Sequence, residues 1–142
     1  MHPIRLRGPW DYQPLSAASG DAANLPAAGR VRMPCDWAAS LGSAFRGRVL
    51  YQRHFGCPTS LGPGDRVDLV FGAVRTAATA RLNDRPLVDF SGPNGARIDV
   101  TSRLAERNLL EVVVEHLAGE LAGGLVGEVR LEIFPADELK TE

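Results

Sequence analysis

The sequence predicts an all-β fold, an antiparallel β-sandwich, and three observations support this. Apolar and polar residues alternate with a period of two in several segments, as half-buried strands require. Clusters of Gly, Pro, Asn and Asp separate these segments at spacings of about ten residues. No long segment has the period of an amphipathic helix, and this combination is typical of sandwiches and barrels.

Four strands have the clearest alternation. In one of them Val67, Leu69 and Phe71 share a face, while Arg66 and Asp68 lie on the other. These four strands are predicted at residues 49–55, 67–71, 78–82 and 129–133. Five strands with a weaker pattern are predicted at residues 4–7, 10–15, 87–90, 98–100 and 109–116, which gives about nine strands.

One long segment, residues 16–44, lacks strand alternation and is rich in Ala, Gly and Ser. We expect it to form a loop across one end of the sandwich. A short helix is predicted around residues 37–41, because Asp36 is a favourable residue at a helix start.

Length and composition indicate a soluble globular chain with one domain over residues 1–142. Hydrophobic residues make up 44% of the chain and charged residues 23%. The formal charge of −1 gives no field that would attract nucleic acid or an anionic membrane. The first residues lack the apolar run of a signal peptide, so the expected location is cytoplasmic. Whether Cys35 and Cys57 pair is left open.

Several motifs, taken in order, resemble the N-terminal sugar-binding domain of the glycoside hydrolase family 2 enzymes, the relatives of β-galactosidase and β-glucuronidase. The matching segments are Gly8-Pro9-Trp10-Asp11-Tyr12, Met33-Pro34-Cys35-Asp36-Trp37, Tyr51-Gln52-Arg53-His54-Phe55, Phe71-Gly72-Ala73-Val74 with residues 78–84, Asp99-Val100-Thr101 with residues 108–114, and residues 124–131. The resemblance implies a galactose-binding-like jelly roll.

The same resemblance implies a non-catalytic role, because the family's hydrolytic carboxylates lie on a separate (β/α)8 barrel. In some family members the jelly roll sends polar side chains from two loops into the neighbouring active site. In this sequence the corresponding loops, residues 41–45 and 118–121, offer only Ser43 and Glu120 as polar candidates.

Sugar binding requires an aromatic face and planar polar groups that bond to vicinal hydroxyls. An exposed Trp37 beside Asp36 would favour ligand binding, and a buried one would favour packing. Structural roles compete with this interpretation for several aromatic and polar residues. Trp10, Tyr12 and Phe55 would fill the core, Arg53 would form an ion pair, and Asn83 would serve turn geometry. The candidate ligand-binding residues are Asp36, Trp37, Tyr51, Arg53, Arg75, Asn83 and Asn94.

Other chemistries have weaker support. The acidic pairs Glu111 with Glu115 and Glu128 with Glu132 fit solvated strand faces better than a glycosidase pair. A zinc site would need His54, Cys57, Cys35 and His116 together, although no CxxC is present. We therefore expect no catalytic residue, no metal and no cofactor.

The leading functional hypothesis is a non-catalytic, carbohydrate-binding-type domain. The alternatives are a structural or interaction sandwich that packs on a catalytic partner or self-associates, and a fragment of a family 2 glycoside hydrolase. The expected partners are accordingly a carbohydrate, a glycosidase catalytic subunit or a second copy of the chain.

Overall fold

Two antiparallel sheets form a β-sandwich in the computed structural model, which describes residues 1–20 and 24–138. The helical segments are α1 (Ala38–Leu41) and the 3-10 turns Gly92–Asn94 and Thr101–Arg103. The strands are β1 (His2–Arg5), β2 (Trp10–Ala17), β3 (Gly29–Val31), β4 (Gly47–Gly56), β5 (Arg66–Phe71), β6 (Ala77–Leu82), β7 (Arg85–Ser91), β8 (Ala96–Asp99), β9 (Arg107–His116) and β10 (Val129–Phe134).

The smaller sheet has the order β1-β10-β5-β8, and the larger sheet has the order β3-β2-β4-β9-β6-β7. The long pairing of β4 with β9 runs from Gly47 opposite His116 to Gly56 opposite Arg107. This register defines the two ends of the sandwich. We call the end at Gly47 and His116 the loop end, because the segments around Asp36, Arg75 and residues 117–125 meet there.

The structure confirms the predicted fold class and contains each of the nine predicted strands, with shifted ends. The short helix after Asp36 is also present, at α1. The tenth strand, β3, lies inside the segment expected to be a loop, where Arg30 pairs with Asp11 of β2.

The core lies between the sheets and is formed by the inward residues of the alternating strands. On β5, Val67, Leu69 and Phe71 are at most 1% exposed, as the alternation predicts. Trp10 is fully buried and its indole Nε1–H donates to the carbonyl of Leu6 at 2.7 Å. Tyr12 and Phe55 pack on the core but are only partly buried.

Both cysteines are free: Cys35 is buried and Cys57 is half-buried. The open question of a Cys35–Cys57 bridge is thereby answered, since neither sulfur forms a disulfide. None of the helices within residues 1–20 and 24–138 has the length and hydropathy of a membrane-spanning helix.

Candidate functional site: the loop end

Asp36 lies on the segment between β3 and α1, and both its carboxylate oxygens are hydrogen-bonded. Oδ1 accepts from the backbone N–H of Ala38 at 2.9 Å, which holds the start of α1. Oδ2 accepts from Arg75 Nη1 at 2.7 Å. The Ala38 N–H, followed by the Arg75 guanidinium, lowers the pKa of Asp36, so the carboxylate is stabilised in its charged form.

Arg75 connects three segments of the loop end. Besides Asp36, its guanidinium donates to the carbonyl of Ala122 at 2.6 Å, and its backbone N–H donates to the carbonyl of Gly124 at 3.2 Å. The side chains of Asp36 and Arg75 are 47% and 26% exposed. The pair is therefore a solvent-accessible group of planar polar atoms on a fixed backbone.

Trp37 is fully buried, so its ring faces the core and not a ligand. It makes edge contacts with Phe45 and His116, at centroid distances of 5.5 and 5.8 Å, and its Nε1–H donates to the carbonyl of Phe45 at 3.2 Å. The indole lies so close to Gly123 that a Cβ there would be 2.5 Å from its Cζ2 atom. Packing is thus the role that the structure gives Trp37, in place of the exposed platform that sugar stacking requires.

Tyr51 is also fully buried, at the middle of β4. Burial raises the pKa of its hydroxyl, and the neighbouring Cys35 thiol adds to the shift. Burial likewise raises the pKa of Cys35. Like Trp37, Tyr51 presents no ring face to solvent.

The remaining candidates divide between the two ends of the sandwich. Asn94 is exposed on the turn Gly92–Asn94, which is tied to the loop end where Val74 N–H donates to Gly92 O at 3.1 Å. Arg53 and Asn83 lie toward the other end. Arg53 is opposite Leu110 on β9 and donates to the carbonyl of His54.

Asn83 has a structural function. Its Oδ1 accepts from the backbone N–H of Leu109 at 2.8 Å, and its Nδ2 donates to Asn108 Oδ1 at 2.9 Å. Asp36, Trp37 and Arg75 thus meet at the loop end, and Asn94 lies on a turn whose backbone is tied to it, whereas Arg53 and Asn83 lie toward the other end. Contact of any of the seven residues with a sugar stays a prediction.

Arg46 is a residue of the loop end that sequence reasoning missed. It donates to the carbonyls of Ser43 at 2.8 Å, Gly119 at 2.9 Å and Glu120 at 3.2 Å. It therefore joins the two loops that the family resemblance indicates, through their backbones. Carbonyl acceptors are present at every residue, so the sequence carries no signal for such a contact.

Two exposed leucines form the other unpredicted feature. Leu121 is 64% exposed and Leu117 is 48% exposed. An open groove beside Leu117 is lined by Ala44 and Phe45. We define the loop-end surface as residues 43–46 and 117–121.

The carboxylates weighed as catalytic pairs are bound by other side chains. Gln52 donates to Glu111, Arg48 pairs with Glu115, and the guanidinium of Arg130 lies between Glu128 and Glu132. Within residues 1–20 and 24–138, no three His, Cys, Asp or Glu side chains form a group that could hold a metal ion.

Comparison with solved structures finds β-glucuronidases. An FMN-binding β-glucuronidase from Faecalibacterium prausnitzii L2-6 superposes with a TM-score of 0.77 and 22% identity over 94% of this chain and 22% of that chain. The Bifidobacterium dentium enzyme, complexed with coumarin-3-O-glucuronide, has a TM-score of 0.75 and 26% identity, over 94% and 30% of the two chains. Bacteroides uniformis β-glucuronidase 3 has a TM-score of 0.73 and 15% identity, over 96% and 23%.

No family model and no curated protein matches the sequence. The chain spans less than a third of the length of the three glucuronidases named above. It therefore has the jelly-roll fold of one part of the β-glucuronidases, as its resemblance to the family 2 glycosidases predicted.

Proposed function

We propose that this chain is a non-catalytic jelly-roll domain that docks its loop-end surface on the catalytic part of a β-glucuronidase-type glycosidase, carried on the same or another polypeptide. One observation carries the proposal: within residues 1–20 and 24–138, the two most exposed leucines lie in one loop, and hydrogen bonds from outside that loop hold its backbone.

The energetics of the loop fit docking. Burying the exposed parts of Leu117 and Leu121 contributes about 2 to 3 kcal/mol. A loop already held by Arg46 and His116 loses little conformational entropy on binding, and this raises affinity. Leu117 also lines a groove with Ala44 and Phe45, and contiguous exposed apolar surface marks interaction sites.

The choice of partner is supported by the structural neighbours. They match 94% or more of this chain, yet between about two thirds and four fifths of their own length has no counterpart in it. The segment of this fold in those enzymes is thus joined to a much larger glycosidase. A glycosidase catalytic part is therefore the partner whose chemistry the fold indicates.

Co-expression tests the proposal. The catalytic part of a β-glucuronidase is expressed as a separate catalytic polypeptide together with the tagged chain, and the molar mass of the product is measured by light scattering. We expect a complex of one copy each, and we expect Leu117→Glu with Leu121→Glu to prevent its formation, because both changes place a carboxylate in an apolar contact.

Leu15→Glu is the matched control, since Leu15 is also exposed but lies on β2 outside the loop-end surface. A complex that survives the double change, or a chain that stays monomeric beside the catalytic polypeptide, would contradict the proposal. If the chain instead forms a homodimer that the double change abolishes, the partner of the loop-end surface is a second copy of this chain and not a glycosidase.

Weak carbohydrate binding is the second candidate, and the exposed Asp36–Arg75 pair supports it. A carboxylate and a guanidinium 2.7 Å apart offer planar acceptors and donors to neighbouring hydroxyls. Titration calorimetry with glucuronides, galactosides and mannosides tests this role. We expect heat that Asp36→Asn removes.

The control for that titration is Asp11→Asn, because Asp11 and Arg30 form an exposed pair at 3.1 Å on the β2–β3 edge. The absence of heat at millimolar sugar concentration would refute the binding role. An equal loss of binding heat in Asp36→Asn and Asp11→Asn would show that the sugar does not bind specifically at Asp36.

A further inference from the structure

His116, the last residue of β9, lies at the base of the loop-end surface with its imidazole buried. Both ring nitrogens have a partner. Nδ1 lies 2.7 Å from the hydroxyl Oγ1 of Thr76, and Nε2 lies 2.7 Å from the carbonyl oxygen of Leu121. The ring therefore joins the segment before β6 to the loop of residues 117–121.

The chemistry of the partners determines the tautomer of the neutral ring. A carbonyl oxygen can only accept, so Nε2 carries the proton and donates to Leu121. Nδ1 is then the acceptor, and the Thr76 hydroxyl donates to it. Thr76 thus orients the imidazole whose other nitrogen holds the loop.

Thr76 has an unusual backbone conformation. Its φ of +70° is in the left-handed region, which costs a residue with a Cβ roughly 1 to 2 kcal/mol and is rare for a β-branched side chain. The Gly92 N–H donates to the Thr76 carbonyl at 3.2 Å, which helps to hold this conformation. Strained residues of this kind concentrate at functional positions.

The loop itself contains neither helix nor strand between residues 117 and 121. Its backbone is held by side chains from elsewhere: His116 at Leu121, and Arg46 at Gly119 and Glu120. Between these contacts Gly119 adopts a φ of +125°, and an added Cβ there would lie 3.4 Å from His116 Cε1. The conformation of the loop therefore depends on the imidazole beneath it.

We propose that Thr76 and His116 act as positioning residues for the loop-end surface: the Thr76 hydroxyl orients the His116 ring by donating to Nδ1, and the Nε2–H of His116 holds residues 117–121 in the orientation that exposes Leu117 and Leu121. The use of this loop in docking rests on the proposed function, whereas the two hydrogen bonds belong to the isolated chain.

The test uses nuclear magnetic resonance on the isolated chain. Long-range ¹H–¹⁵N correlations of the imidazole report the tautomer, and backbone ¹⁵N relaxation of Gly119 and Glu120 reports the order of the loop. We expect the Nε2–H tautomer and order parameters of about 0.85 in the unmodified protein.

Thr76→Val keeps the β-branched shape and removes the hydroxyl. We expect it to keep the Nε2–H tautomer, because the Leu121 carbonyl still accepts from Nε2, and to lower the loop order parameters toward about 0.6, because the ring has lost the hydrogen bond that orients it. Thr76→Ser restores the hydroxyl and should restore the loop order parameters. Order parameters of the core strand residues Leu110 and Val112 separate this local effect from a general loss of structure.

His116→Phe, a second variant, keeps a ring against Trp37 and removes both hydrogen bonds, so it should also loosen the loop. An Nδ1–H tautomer in the unmodified protein would overturn the proposal, and so would an ordered loop in Thr76→Val. Failure to form a complex with a glycosidase would refute docking and leave these results unaffected, which keeps the two proposals distinguishable.

Discussion

Trp37 stabilises the loop end by packing. Its ring is enclosed by Phe45, His116 and the backbone at Gly123. The sequence makes Trp37 a candidate for sugar stacking, because it offers an aromatic face beside the polar Asp36. The structure shows that the adjacent carboxylate is exposed and the indole is not. Neighbours in sequence thus have opposite environments on this turn.

Trp37→Ala should lower the free energy of unfolding by about 3 to 5 kcal/mol, because it leaves a cavity among fully buried groups. Urea denaturation measures the change. Asp36→Ala, one residue away on the surface, is the control and should cost far less. A Trp37→Ala protein of nearly unchanged stability would refute the packing role.

The outer face of the smaller sheet carries two buried carboxylates covered by arginines. Asp68 and Glu132 face each other on β5 and β10, and each is 3% exposed. The Arg97 guanidinium bonds to Asp68 at 3.0 Å and to Glu132 at 2.6 Å. Burial opposes the ionisation of Glu132, but hydrogen bonds from Arg97 and Arg130 outweigh it, so its pKa is lowered.

Arg97→Leu should lower the free energy of unfolding by about 2 kcal/mol. Breaking a fully buried ion pair costs about 3–5 kcal/mol, and the loss is smaller here because 48% of the Arg97 side chain is exposed. Urea denaturation at neutral pH measures this. Arg85→Leu, at an exposed position of β7, is the control. Equal stability of the two variants would contradict the structural role of Arg97.

Glu132 also makes stability depend on pH. Its folded-state pKa lies below the ordinary value of 4.5, so the folded state binds fewer protons than the unfolded state. The stabilisation is present above pH 4.5 and is lost as the pH falls through the folded-state pKa. Glu132→Gln should therefore lose less stability on acidification than the unmodified protein. Parallel curves of stability against pH would refute this.

At the scale of the elements, the turn between β6 and β7 shows how side chains and backbone combine. Asn83 and Asp84 both have positive φ, +51° and +66°, as a tight hairpin turn of this kind requires. Only Asn83 adds side-chain bonds, to Leu109 and Asn108. Asp84 has a positive φ, so a glycine at this position would relieve the strain of the left-handed backbone conformation.

The same substitution at these two neighbours should therefore have opposite effects. Asp84→Gly should stabilise by about 0.5 kcal/mol, because relief of the left-handed conformation slightly exceeds the added entropy of the unfolded chain. Asn83→Gly should destabilise by about 1 to 3 kcal/mol, because it leaves the Leu109 N–H without its partner. Thermal denaturation measures both. A stability change of the same sign in both variants would contradict the different roles of Asn83 and Asp84.

The alternation of residues predicts the strands well, because one face of most strands is buried. The pattern on β6, for example, where Ala78, Ala80 and Leu82 are buried and Thr79 and Arg81 are exposed, is visible without knowledge of its neighbours. β3 was missed because it has only three residues and pairs with β2 alone. Its presence depends on a long-range contact, which local sequence does not encode.

The candidate site was predicted less completely than the fold. The motifs indicate the segments around Asp36 and residues 118–121, and the structure brings them together through Arg75 and Arg46. The burial of Trp37 and Tyr51 depends on packing across the sandwich, so residue type alone could not predict it. Leucine is usually buried, so the sequence does not predict that Leu117 and Leu121 are exposed, and only the structure reveals it.

At the scale of the whole molecule, the two sheets form a rigid support for a set of loops at one end. Pairing along β4 and β9 places Gly47 and His116 side by side, directly beneath the loop-end surface. The acidic pairs Glu111 with Glu115 and Glu128 with Glu132 lie on the sheets and are bound by other side chains. These features favour a role in presenting a surface to a partner.

Hydroxyl-radical footprinting of the chain with and without the catalytic polypeptide tests this role most directly, because it measures the exposure of individual side chains. We expect Leu117 and Leu121 to oxidise several times more slowly in the complex, while the exposed Leu15 oxidises at an unchanged rate. Protection of Leu15 with continued oxidation of Leu117 and Leu121 would show that another face of the sandwich meets the partner, and would contradict the account.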